Sequence, residues 1–321
     1  MLIGVDKAMK KQFISLVITF VLIITVFVGC INKEGSIVIK GKGSFNSIQD
    51  AIDSASNYDT IIVYKGVFKE TITIDKSISL VAVNKKSATI SYPENETEMS
   101  IIKINEDNCS IDGFIIIGYN SSIQLRGIEV TSSNNTIKNN TIQYTYYGIY
   151  QENSNNNTIS NNMIYNTDTG LSMKYSNKNK ILSNNLSRNY EYGIYAQYQS
   201  NNNIFNLNIL LENANGIRLK SSQKNTIEKN IINNSSQMGI YLCCGARDNI
   251  IFNNSLINNN PNADDHYDNL WYYNNVGNYW DDYKDKYPDV IDENSDGFWD
   301  TPYILYQDTK DLFPLVKSIK I

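Results

Sequence analysis

The chain has 321 residues, of which 41% are apolar and 19% charged, with a net charge of −5 at pH 7. That length suits one large domain, and an acidic chain without a basic stripe cannot neutralise phosphates, which excludes nucleic acid as a partner. Asn is used heavily, so solubility rests on amides and hydroxyls more than on charge.

Residues 1–30 read as an export segment. Lys7, Lys10 and Lys11 precede an apolar run from Phe13 to Val28 that closes on Gly29-Cys30. This is the pattern of a lipoprotein signal, in which Cys30 carries the lipid; the other reading is an uncleaved membrane anchor. Either one predicts an extracytoplasmic body tethered to the cytoplasmic membrane. Residues 31–44 read as a linker. Over residues 45–56, Ile48, Ala51, Ile52 and Ala55 fall at helical spacing, which predicts a one-sided helix. Short alternating strands follow it at once, so the helix reads as a plug over the open first rung of a solenoid.

From Asn135 to Leu256 one phrase recurs, Asn-x-Ile-x-x-Asn-x-Ile/Leu, beginning at Asn135, Asn157, Asn179, Asn225 and Asn249. The copy from Asn202 to Ile209 is read with Leu207 in the place of the second Asn. A Gly followed by an apolar residue lies between copies, at Gly127, Gly148, Gly170, Gly193, Gly216 and Gly239, a step of 21 to 23 residues. That period is too short for helix-pair repeats. Three short strands and three bends fill it, and equivalent residues then stack about 4.8 Å apart. The fold class predicted is all-β, a right-handed single-stranded parallel β-helix of about ten rungs and about 22–23 residues per rung, with a helical N-terminal cap. It covers residues 45–260, and residues 261–321 form a C-terminal cap. Ile137, Ile159, Ile181, Ile204, Ile227 and Ile251 are expected to form one inward ladder, and Asn140, Asn162, Asn184, Asn230 and Asn254 an Asn ladder at a corner that suits left-handed backbone. The Gly column requires either positive φ or room for a neighbour.

Several stretches carry a resemblance: Ser47-Ile-Gln-Asp-Ala-Ile52, Gly66-Val-Phe-Lys-Glu70, the Asn and Gly repeats, and Gly277-Asn-Tyr-Trp280-Asp-Asp-Tyr283 with Asp296-Gly297 and Thr301-Pro302-Tyr303. On these residues the chain resembles the right-handed β-helix proteins grouped as carbohydrate-binding and sugar-hydrolase (CASH) proteins, and within them the NosD-like surface proteins. The resemblance is specific for fold; lyases, hydrolases and pure binders all use it. By name it implies copper, which wants imidazole, thiolate or thioether ligands. One histidine, His266, and the adjacent pair Cys243-Cys244 are too few, so copper is not expected. Cys244 is read as a small half-buried thiol, with a strained Cys243-Cys244 bond as the alternative.

Three patterns point to chemistry. Asp292, Asn294, Asp296 and Asp300 place oxygens at positions 1, 3, 5 and 9 of a loop, with Gly297 at 6 and the Phe298 carbonyl at 7. This matches a calcium loop, except that Tyr303 stands where the bidentate acid belongs. Reading one residue past the Gly-led apolar position gives Glu129, Tyr150, Ser172, Tyr195, Arg218 and Tyr241. Tyr150 and Tyr195 are then two rungs apart, about 9.6 Å, the scale of a disaccharide unit, which makes Tyr150, Tyr195 and Tyr241 candidates for a carbohydrate-binding strip. Asp168 and Glu191 share a column on adjacent rungs and are the weak candidates for catalysis. The function expected is a non-enzymatic glycan-binding or cell-envelope structural protein. The alternatives are a polysaccharide hydrolase or lyase and, after it, a NosD-like periplasmic copper-delivery protein.

Overall fold

The structure is a computed structural model that describes residues 35–94, 96–119 and 124–321. The export segment and Cys30 lie outside the described residues, within which no helix is long and apolar enough to cross a membrane. The chain winds as a parallel β-solenoid. Each turn adds one short strand to each of three sheets, and the third sheet holds nine strands, so there are nine turns where about ten were expected.

The plug helix α1 spans Ile48–Ser54. The Ser47 hydroxyl accepts from the Asp50 amide at 3.0 Å, and the Glu70 carboxylate accepts from the Ile48 and Gln49 amides at 3.0 and 3.1 Å. Those contacts satisfy the helix's orphan donors. Ile48, Ala51 and Ile52 are buried over the first turn. Gln49 meanwhile accepts from the Thr73 amide at the open edge of the third sheet. From residue 35 on, the stretch expected to be linker is itself built into the fold. Strands Ile37–Ile39 and Gly43–Phe45 form a hairpin that pairs antiparallel with Thr60–Val63 and closes the first sheet.

The repeat phrase supplies two buried ladders of amides. The Asn140 amide donates to Asn162 Oδ1 at 3.0 Å, Asn162 to Asn184 at 3.0 Å, Asn184 to Asn208 at 2.9 Å, and the series runs on through Asn230 and Asn254 to Asn278. The phrase's first Asn forms a second ladder, from Asn135 through Asn157, Asn179, Asn203, Asn225 and Asn249 to Asn269. Each side chain satisfies bend amides that have no strand partner. The left-handed backbone belongs to the residue before each ladder Asn except the terminal Asn269 and Asn278, such as Asn139, Asn161 and Leu207 at φ 59°, 55° and 58°, and not to the ladder residue itself.

One copy is read differently by the structure. The step from Asn184 to Asn208 is 24 residues, against 22 from Asn162 to Asn184, so Asn208 and not Leu207 holds the ladder position. Phe205 takes the inward place beside Ile181 and Ile227, and Ile204 faces outward beside Lys180 and Thr226. A shift of one residue exchanges the two faces of a strand, which is why the Ile204 assignment fails. The Gly column exists for room. A Cβ on Gly193 would lie 2.8 Å from both the Gly216 carbonyl and the Leu210 side chain.

The solenoid does not stop at residue 260. Ala263–Asp265 extends the third sheet and Tyr279–Trp280 the second. Trp271, Trp280, Tyr283 and Tyr303 are buried over the last turn, with Trp280 and Tyr303 stacked at 4.0 Å. Both Asn ladders end on a buried aspartate. Asp311 accepts from the Asn278 amide at 2.6 Å and from Trp280 Nε1 at 2.9 Å, while Asp265 accepts from Asn269 Nδ2 at 2.9 Å and Trp271 Nε1 at 2.8 Å. A carboxylate has acceptors only, which is what the last rung of donors requires. Gly277 is small because a Cβ there would overlap the Asp311 carboxylate.

Candidate functional site

The outer face of the third sheet carries the candidate site. The register places Glu129, Tyr150, Ser172, Tyr195, Arg218 and Tyr241 in one column, as the repeat predicts. Arg126, Tyr147, Thr169, Tyr192, Asn215 and Met238 form the column on one side, and Glu152, Lys174, Gln197, Lys220 and Cys243 the column on the other. Because strands of one register stack side chains of one column, a Tyr and a cation on neighbouring rungs meet face to ring.

The lower half is closed on itself. Tyr150 is only 2% exposed. The Arg126 guanidinium lies 4.3 Å from its ring centre and Lys174 Nζ 5.2 Å, and its hydroxyl donates to Glu152 at 3.0 Å. Arg126 is in turn ion-paired with Glu129. Tyr150 is therefore a packed side chain with no free ring face, and it does not serve as the open platform that its column position suggested.

The upper half is open. Tyr195 and Tyr241 are half-buried, and the Tyr192 ring stacks on Tyr195 at 4.6 Å. The Arg218 guanidinium stands 5.6, 5.3 and 5.0 Å from the ring centres of Tyr192, Tyr195 and Tyr241. Its Nη1 donates to the Tyr192 hydroxyl at 2.6 Å and its Nη2 to Cys243 Sγ at 3.5 Å. Its Nε is buried without a hydrogen-bond partner. Burial pushes the Tyr195 hydroxyl up to about 12. At the rim, Tyr175 and Tyr198 stack at 5.7 Å with 46% and 40% of their surfaces exposed, and Lys220 Nζ lies 5.5 Å from the Tyr198 ring centre. The sequence reading passed over these two rings. The signal was present, since each follows at once the residue of the outer column, as Lys174-Tyr175 and Gln197-Tyr198.

Asp168 and Glu191 are brought next to each other, with Tyr146 beside Asp168. Burial raises both carboxyls above their ordinary range, and the charge of Asp168 raises Glu191 further. An acid beside another charged acid is harder to ionise.

The acidic loop sits on the C-terminal cap and is exposed. Asp292 accepts from the Asp296 and Gly297 amides, both at 3.1 Å, Asn294 accepts from Asp296 at 3.0 Å, and Asp300 accepts from Glu293 at 2.8 Å. The amide of Phe298 donates to Asp296 at 3.0 Å, and the Tyr303 hydroxyl donates to Asp282 at 2.8 Å, away from the loop. The loop is thus folded around its own amides.

The soft donors are scattered. His266 Nε2 bonds Asp264 at 2.8 Å and its ring packs on Tyr306. Cys243 is buried and Cys244 exposed, the reverse of the half-buried Cys244 expected, because Cys243 holds the outer strand column and Cys244 the bend after it. Cys109, Cys243 and Cys244 are all free thiols. Burial raises the Cys243 thiol, and Arg218 points a positive charge at the same sulfur. Neither suits a cation ligand, and among the described residues no three His, Cys, Asp or Glu side chains converge on a point that could hold a metal ion. The donor set does not fit copper.

Comparison with known proteins is consistent with this architecture. The chain is 14% identical to pectate lyase Pel9A, with a TM-score of 0.55 over 74% of this chain and 69% of that one. It is 16% identical to an alginate lyase from Paenibacillus sp., with a TM-score of 0.53 over 72% of this chain and 93% of that one. These likenesses are of fold. A cell surface glycoprotein of Methanothermus fervidus is 37% identical over 109 residues, a stretch that is 33% of this chain and 18% of the glycoprotein. The family described as periplasmic copper-binding protein (NosD) matches residues 52–285, well over half of the chain, and the protein belongs to that family.

Proposed function

We propose that this protein is an extracytoplasmic β-helix that binds polysaccharide along the outer face of its third sheet, without turning it over. The observation that carries the reading is the open aromatic surface of Tyr175, Tyr198, Tyr195 and Tyr241 laid across successive rungs around Arg218. Flat rings with polar tips suit the faces of sugar rings, and a rigid stack of rungs holds them at fixed spacing. The family's periplasmic description and the cell-surface relative support a place outside the cytoplasm. The polysaccharide-acting lyases of similar fold support a glycan as ligand.

The test is retention of the full-length chain on immobilised polysaccharides, with new chain ends counted in the same samples. Tyr175→Ala with Tyr198→Ala removes two exposed rings. At about 0.5–1.5 kcal/mol each, their joint loss should weaken binding on the order of tenfold without altering the melting curve. Unchanged affinity in the double variant would remove the strip from the ligand's path. Accumulation of chain ends, lost in Asp168→Asn, would establish instead the rival reading of a hydrolase or lyase working through Asp168 and Glu191.

Calcium at Asp292, Asn294, Asp296, Phe298 and Asp300 is proposed as a structural clip on the cap, whose binding would draw together three carboxylates that do not converge without it, supported by the spacing of oxygens around Gly297. Saturating calcium should then raise the melting temperature relative to excess chelator, and superimposable curves would refute it.

A further inference from the structure

The two arginines of the third sheet's outer face are placed alike against tyrosines and differ in what balances their charge. Arg126 is ion-paired with Glu129 and lies over Tyr150, so it is neutralised from within. Arg218 has three tyrosine rings, a phenol and a thiol, and among the described residues no carboxylate at ion-pair distance. Ring faces attract a cation but carry no net charge, and a half-buried guanidinium without a counter-ion is costly. The groups near Arg218 do not remove that cost. Burial raises the Cys243 thiol, and Glu191, whose carboxyl burial raises and the Arg218 charge lowers, makes no ion pair with Arg218 among the described residues. Lys220, two residues along the same strand, also lies beside a tyrosine ring, that of Tyr198, without an ion-paired acid among the described residues. In a chain of net charge −5, the open half of this face gathers cations whose partners are missing.

We propose that the ligand of this face is an acidic polysaccharide, carrying carboxylate or sulfate groups, and that Arg218 is the residue that reads the anion while Lys220 attracts it. The inference rests on the glycan-binding reading and assigns the chemical class of the glycan. The planar guanidinium fork suits an oxyanion, and beyond its bonds to the Tyr192 hydroxyl and the Cys243 thiol each terminal nitrogen has a further N–H to give. The rings of Tyr195 and Tyr241 on either side then take the apolar faces of the sugar that bears it.

The experiment measures the affinity of the full-length chain for a polyuronate, for the same polymer after reduction of its carboxyls to alcohols, and for a sulfated polysaccharide. The wild-type chain should prefer a charged polymer over its neutral counterpart by at least about tenfold, a preference that shrinks as salt is raised. In Arg218→Gln the ratio of the two affinities should fall towards one, while Arg218→Lys, which keeps the charge, should retain part of it. The salt series on the wild-type chain gives the answer independently if the glutamine variant fails to fold. Preference for the uronate or for the sulfate polymer identifies which anion is read, and either supports the assignment. Equal affinity for charged and reduced polymer overturns it and leaves glycan binding standing. A preference that survives intact in Arg218→Gln removes Arg218 as the reader. Failure to bind any polymer overturns the glycan-binding reading itself.

Discussion

Asn208→Leu is expected to destabilise the solenoid by about 3–5 kcal/mol, while Leu207→Asn one residue earlier should stabilise it by about 1 kcal/mol. Asn208 is fully buried. Its Oδ1 accepts from both the Asn184 amide at 2.9 Å and Asn184 Nδ2 at 3.0 Å, and its Nδ2 donates to the Ile181 carbonyl at 2.8 Å and to Asn230 Oδ1 at 3.0 Å. Leucine has similar bulk and none of these groups, so two donors of the turn below are left without acceptors in an interior that water does not reach. Leu207 is in the left-handed region at φ 58°, where a branched apolar side chain is strained and asparagine is tolerated. Chemical denaturation of the two single variants decides the matter. If Leu207→Asn were the more damaging, the register of this turn would be wrong by one residue and the face assignments of Ile204 and Phe205 would reverse.

The second large effect concerns pH. Burial pushes the Asp311 carboxyl up to about 6, against which the donors from Trp280, Asn278 and Phe313 pull it down. Asp265, the end of the other ladder, is raised by burial as well. A carboxyl whose folded pKa lies above its unfolded value of about 3.9 favours the folded state while it is protonated. That contribution is fully present below pH 3.9 and is lost as pH rises through 6. For Asp311 it amounts to roughly 3 kcal/mol, at 1.36 kcal/mol for each pKa unit. Asp311→Asn keeps an acceptor and removes the titration, at the cost of one amide nitrogen facing the Phe313 amide. The stability of the wild-type chain relative to this variant should therefore fall by roughly 3 kcal/mol between pH 4 and pH 7.5. A difference that stays constant across that range would mean that the three donors hold Asp311 ionised throughout.

Both changes strike the Asn ladders, one within a ladder and one at its end. An Asn can serve as donor and acceptor at once, so a column of them extends indefinitely, but its last member has donors with no rung above. The chain solves this with Asp265 from within the last turn and Asp311 from a terminal hairpin, strands Tyr303–Tyr306 and Thr309–Asp311. Tryptophan nitrogens complete each carboxylate, which explains why Trp271 and Trp280 stand beside them.

The period, the alternation and the separation of single apolar residues by polar ones are local properties, and they by themselves determined the parallel solenoid and the outer columns of its third sheet. Tyr150, Tyr195, Arg218 and Tyr241 occupy one column because register follows from counting along a repeat. Counting fails where a bend gains residues, as it does before Asn203 and Asn208, because nothing local says on which side of the bend the insertion falls. The helical plug was legible from its spacing, whereas the hairpin over residues 37–45 was not, since its strands exist only by pairing with Thr60–Val63. Which members of a column are usable was decided by tertiary structure alone. Arg126 closes over Tyr150 because Glu129 neutralises it, while Arg218 stays uncompensated among its rings, and no pattern along one strand reports the charges on the strands above and below.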